Sequence, residues 1–130
     1  MTKRLTVLGV LTCLVLATMA VTGPAAQAAW STMMRAHEAK LQLCKDPLGE
    51  GRIRVKVRLD NRQATHTHLG GISRTRDGQR VDANHRTLAG QLSPVKSLIW
   101  QRGDYFVAGM GEVSGEGAGG DFMLSSVARC

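Results

Sequence analysis

The sequence predicts an all-β fold, a single antiparallel β-sandwich of about seven strands. Three observations carry that reading. Charged and apolar side chains alternate strictly from Arg52 to Leu59; turn residues recur every eight to twelve positions; and no convincing amphipathic helix follows residue 45. At 130 residues, 43% apolar and 4% aromatic, the chain has room for one hydrophobic core and is too apolar for disorder.

In chain order, the first element is a leader. Lys3 and Arg4 precede an apolar run from Leu5 to Val21, followed by Gly23-Pro24 and by Ala26-Gln27-Ala28, which sets small residues at both specificity positions of a cleavage site. This is the layout of a secretory signal peptide. It predicts a cleaved leader over 1-28, a domain over 29-130 and no stable membrane span afterwards. The rival, a retained anchor, is disfavoured by Gly23-Pro24 and the Ala-rich stretch after it. The chain is therefore expected to be secreted.

Ala39 to Cys44 alternates, Asp46 to Gly51 supplies Pro and Gly for a loop, and Arg52 to Leu59 follows, so the two runs read as a hairpin. Ile53, Val55, Val57 and Leu59 should face the core, with Arg52, Arg54, Lys56 and Arg58 in water. Residues 33-43 also hold good helix formers, so the first half of that segment stays open between strand and helix. Thr65 to Arg76 and Gln79 to Leu88 flank Asp77-Gly78, a dipeptide suited to a type I′ turn. Val95 to Trp100, Tyr105 to Ala108 and Phe122 to Val127 complete the strands, with a turn at Arg102-Gly103.

Of the three cysteines, Cys13 leaves with the leader. Cys44 and Cys130 remain, and an even pair in an exported chain reads as a disulfide tying down the C-terminus.

Gly103-Asp104-Tyr105-Phe106-Val107, after a strand ending in Trp100, is similar to the tyrosine corner of immunoglobulin-like domains, which implies an immunoglobulin-like sandwich. The chain also resembles small secreted β-sandwich proteins of high-GC Gram-positive bacteria. That likeness implies a habitat outside the cytoplasm and no particular activity.

The formal charge is +7 and unevenly spread. Between residues 52 and 86 stand nine cations, Arg52, Arg54, Lys56, Arg58, Arg62, Arg74, Arg76, Arg80 and Arg86, against three aspartates. A basic face built from them would attract an anionic polymer or cell-wall surface by salt-sensitive attraction. The aromatics Trp30, Trp100, Tyr105, Phe106 and Phe122 do not interleave with these arginines in sequence, which disfavours a specific nucleic-acid or sugar partner.

His66-Thr67-His68 sets two imidazoles on one strand face, a spacing able to chelate zinc or copper. With a two-residue turn at Asp77-Gly78, His68 opposes Thr87 and His85 lies diagonal to it as a candidate third ligand. A bulge at Gly70-Gly71 would instead put Leu69 and Ile72 on one face. The alternative function is thus a small extracellular metal-binding protein using His66, His68 and His85.

Other motifs carry little. Gly115 to Gly120 fits a G-x-G-x-x-G spacing with no helix after it and reads as a flexible hairpin loop; one copy of a glycine-rich calcium turn does not make a site. Arg102-Gly103-Asp104 is turn chemistry. The serines lie outside any nucleophile elbow and the acidic residues lack catalytic spacing. The expectation is a binding or structural protein, not an enzyme, without cofactor.

Overall fold

The computed structural model describes residues 29-115 and 117-130; the expected leader, and with it Cys13, lies outside them. Eight strands form: β1 (Ser31–Ala36), β2 (Ala39–Gly49), β3 (Arg52–Asp60), β4 (His68–Arg76), β5 (Gln79–Thr87), β6 (Lys96–Trp100), β7 (Tyr105–Glu112) and β8 (Gly117–Asp121). They make two antiparallel four-stranded sheets, ordered β1-β2-β3-β6 and β5-β4-β7-β8. The two are stacked, with β1 against β7 and β3 against β4 and β5. The fold is an all-β sandwich, and among the described residues no helix is long and apolar enough to cross a membrane.

Alternation decides which side of each strand faces the core. Val55, Val57 and Leu59 on β3 are fully buried, and Leu41 and Leu43 stand opposite Leu59 and Val57 on β2. Ile72 on β4 and Phe106, Ala108 and Met110 on β7 close over them from the other sheet. Each large apolar side chain buried this way contributes about 1.5–3 kcal/mol before conformational entropy is charged against it. The seam therefore holds the sheets together.

The open segment around residues 33-43 is strand on both sides of a tight turn. His37 and Glu38 occupy that turn at φ 42° and 69°, the left-handed geometry of a type I′ hairpin. Asp77-Gly78 makes the second such turn, at φ 49° and 77°. From it β4 and β5 pair without a register shift, so His68 opposes Thr87 and His85 opposes Gly70. No bulge forms at Gly70-Gly71; Ile72 is buried and Leu69 is 46% exposed on the other face.

Two expectations at the C-terminal end are corrected. Residues 122-127 are not a strand: Leu124–Ser126 is a 3₁₀ turn, and Val127 drops into the core. The glycine segment read as a loop supplies β8 instead, because Gly117 and Gly119 let that edge strand lie close on the β7 backbone. The tail after Val127 then runs beside β2. Lys45 N–H donates to Ala128 O at 2.9 Å, Cys130 N–H donates to Lys45 O at 3.0 Å, and Cys44 is disulfide-bonded to Cys130. Pro47 fits into β2 for the same reason, since its missing N–H falls on the side where Lys45 points and β1 has already ended.

The tyrosine-corner geometry is absent. The Tyr105 hydroxyl donates to Asp121 Oδ1 on β8 rather than to backbone, and the ring is 52% exposed. Trp100 is half-buried, with its indole N–H donating to Asp104 O at 3.2 Å.

Candidate functional site

The nine central cations do not share one face. Even-numbered positions of β3 point away from the seam, so Arg54, Lys56 and Arg58 lie on the outer surface of the first sheet, with Arg52 at the strand's exposed start. Arg80 and Arg86 project from the outer surface of the second sheet, on the opposite side of the sandwich. Arg74 and Arg76 share the inward parity of Ile72 at the seam's end. There Arg74 Nη1 donates to Ile99 O at 3.1 Å, while Arg76 makes a bidentate pair with Asp104 at 2.6 and 2.5 Å. Arg62 is paired with Asp60, whose carboxyl that hydrogen bond holds below its usual range.

Two cations that the sequence reading passed over join the first face. Arg35 on β1 pairs with Lys40 on β2, both outward, and Gln42 lies between Thr32 and Arg58. Thus Arg35, Lys40, Arg58, Lys56 and Arg54 occupy outward positions on three adjacent strands. Asp46, 2.7 Å from Lys56 Nζ, and Asp60 offset part of that charge. Arg58 is held by two neighbours: its Nε donates to Gln42 Oε1 at 2.8 Å, Gln42 itself reaching Thr32 at 3.5 Å, and its guanidinium lies 4.1 Å from the centre of the Trp30 ring. Partial burial lowers the Arg58 pKa, with nearby Asp60 acting in the opposite sense. A two-residue turn at His37-Glu38 would have paired Arg35 with Lys40 from sequence alone; Trp30 carries no such signal.

Of the expected histidines, the structure brings two together. His66 Nδ1 and His68 Nε2 lie 3.8 and 3.9 Å from the same oxygen, Glu112 Oε1, at the end of β7. His85 is elsewhere, packed on the inner face against Val57 and near Lys96, and burial followed by the Lys96 charge lowers its pKa. In its place stands His37, whose Nδ1 hydrogen-bonds Glu112 Oε1 from the tip of the β1–β2 hairpin. That bond holds the Glu112 carboxyl below its usual range against partial burial. Glu112 is 44 residues from His68 in sequence and no local pattern links them; the pairing of β4 with β7 does.

Compared with protein-family models, curated proteins and solved structures, the chain matches none.

Proposed function

We propose that this is an exported binding protein whose first sheet presents a cationic outer face to an anionic polymer at or beyond the cell surface. The observation that carries the reading is the cluster Arg35, Lys40, Arg58, Lys56 and Arg54 on three adjacent strands. Like charges placed as cross-strand neighbours repel, and Asp60, opposite Lys40 on its other side, offsets only part of the repulsion between Arg35 and Lys40. A polyanion laid across them would turn that repulsion into attraction. The stacking of Arg58 on Trp30 and its bond to Gln42 fix one guanidinium before any partner arrives, which lowers the ordering cost of binding. The disulfide suits an oxidising compartment.

The test is retention on dextran sulfate and on polyphosphate. Raising salt from about 50 to 200 mM should weaken binding at least tenfold if several ion contacts form. Changing Arg54, Lys56 and Arg58 together to Gln should weaken it comparably, and so should changing Arg35 and Lys40. Changing Arg80 and Arg86, on the opposite sheet, should leave it intact. Equal losses from both sides of the sandwich would reduce the attraction to net charge and defeat the proposal.

A further inference from the structure

His68 is fully buried at the start of β4, and the hydrogen bonds around it fix where its lone pair points. Its Nδ1 lies 3.1 Å from the carbonyl oxygen of His66, which can only accept, so Nδ1 carries the hydrogen. In the neutral ring, the form in which an imidazole binds a metal, Nε2 is then the acceptor. It is buried without a hydrogen-bond partner, and the atom before it is another acceptor, Glu112 Oε1, at 3.9 Å. In that form a lone pair faces a carboxylate, and with either ring form 3.9 Å is too long for a hydrogen bond, so the buried Nε2 is left without a partner. That distance is a suitable spacing for a metal ion to bridge. With metal–ligand bonds of about 2.1 Å, two ligand atoms stand about 3.4 Å apart at a tetrahedral angle and about 4.2 Å apart when opposed.

His37 completes the arrangement from a different part of the chain. The Nδ1 of His37, the Nε2 of His68 and a carboxylate oxygen of Glu112 all lie within 4.8 Å of one another. A simple ion pair between His37 and Glu112 would account for those two residues but would leave His68 Nε2 facing the carboxylate unmet. His66 Nδ1, 3.8 Å from Glu112 Oε1 and 3.1 Å from the Thr65 hydroxyl, stands at the edge of the cluster. Imidazoles with a single carboxylate suit ions of borderline softness, whereas magnesium and calcium sites are built of oxygens. Beside the cluster is a hollow of ≈ 380 Å³ bordered by Ala36, His37, Glu112, Gly115, Gly117 and Ala118. At about 30 Å³ per water, it admits an ion with its hydration shell.

We propose that His37, His68 and Glu112, with His66 at its rim, form a site for a divalent transition-metal ion of the zinc or copper(II) type. The side chains of His37 and His66 are 76% and 64% exposed, so the ion exchanges with the medium and is not locked inside a closed structural site. This site is independent of the cationic face, since none of its residues belongs to that cluster.

The experiment is calorimetric titration of the purified, oxidised protein with Zn(II), and separately with Cu(II), against His37→Asn, Glu112→Gln and His85→Gln. Asn tolerates the left-handed backbone at position 37 and Gln is isosteric with Glu, so both variants retain the fold, as circular dichroism can verify. Supporting the proposal are binding of one equivalent, a loss of at least tenfold in affinity in H37N and in E112Q, no change in H85Q, and a Zn-induced shift of the His68 Nε2 resonance in histidine ¹⁵N spectra. Absence of saturable binding of either ion, or binding indifferent to both H37N and E112Q, overturns it.

Discussion

The Cys44–Cys130 bond joins residues 86 positions apart, so it closes most of the domain into one loop. Replacing both cysteines by Ala releases that loop in the denatured chain, and the chain-entropy relation puts the effect at about 4.6 kcal/mol at 25 °C. On the folded side little should change. The tail keeps its two backbone hydrogen bonds to Lys45, the bond from Ala128 N–H to Ser31 Oγ at 2.7 Å, and Val127 in the core. The Cα atoms are 5.0 Å apart, inside the ordinary disulfide range, so the folded backbone needs no adjustment to accept or lose the bond. A loss of about 4 kcal/mol is a large share of the roughly 5–15 kcal/mol typical of a domain, and the midpoint of thermal unfolding should fall on the order of 20 °C. Urea unfolding followed by circular dichroism gives both free energy and slope. The slope should rise in the double variant, because a denatured chain without the cross-link exposes more surface. Reduced wild type should match the variant. A loss below about 1 kcal/mol with unchanged slope would show that the denatured state is already restricted in the same way, and the entropic account would fail.

Two other outcomes are expected. Asp104→Ala removes a buried carboxylate that pairs bidentately with Arg76 and accepts Gln101 N–H at 2.9 Å, so urea unfolding should report a loss of about 3 kcal/mol, with Asp104→Glu recovering little because the fork no longer fits. The hydrogen bond to Arg76 lowers the Asp104 pKa, so this stabilisation is present above the usual aspartate range and is lost as pH falls through the depressed folded value. His85 has the same sign in a higher window. Its pKa is lowered by burial, so the neutral ring's contribution is complete above the unfolded value near 6.5 and declines, by up to about 1.4 kcal/mol per pH unit, as pH drops from there towards the folded value. Urea midpoints at pH 7.5 and 5.0 should therefore differ more in wild type than in His85→Gln; an equal difference would remove His85 from the acid response.

The parts legible in the sequence are those governed by neighbours along the chain. Alternation from Arg52 to Leu59 specified a strand and its inward side, and Asp77-Gly78 specified a turn and hence the pairing of His68 with Thr87. Composition misled at the glycine segment. Gly117 to Asp121, with three glycines and one alanine before the aspartate, has too few side chains to show a period of two and reads as loop, yet it pairs with β7 because glycine permits close backbone approach. Residues 122-127 erred the other way: their apolar side chains serve a tail that packs Phe122 edge-on against Phe106 at 5.8 Å and buries Val127 without strand pairing. The histidine cluster was half legible. His66 and His68 are visible as a pair, but His37 and Glu112 reach them only through a hairpin tip and a neighbouring strand, and the diagonal rule selected His85.

The start of β4 inverts the ordinary placement of its side chains. Leu69 lies on the outer face and His68 on the inner, although burying a leucine there would contribute about 2 kcal/mol and the unpaired imidazole nitrogen costs about 1–3 kcal/mol. A slip of one residue would reverse the two, and the surrounding packing forbids it. A Cβ on Gly71 would stand 2.3 Å from Ala83 O, so only glycine fits at that point of the β4–β5 pair, and Gly70 lies beneath Leu59 and Met110 with barely room for a methyl group. Register is therefore imposed by the glycines and the Asp77-Gly78 turn, and position 68 faces inward whatever residue it holds. A sequence shaped by stability alone would place an aliphatic side chain there. Histidine at this position, aimed at a carboxylate from the adjoining strand, is the kind of conflict between local stability and fold that sites of function retain, and the proposed cation would resolve it.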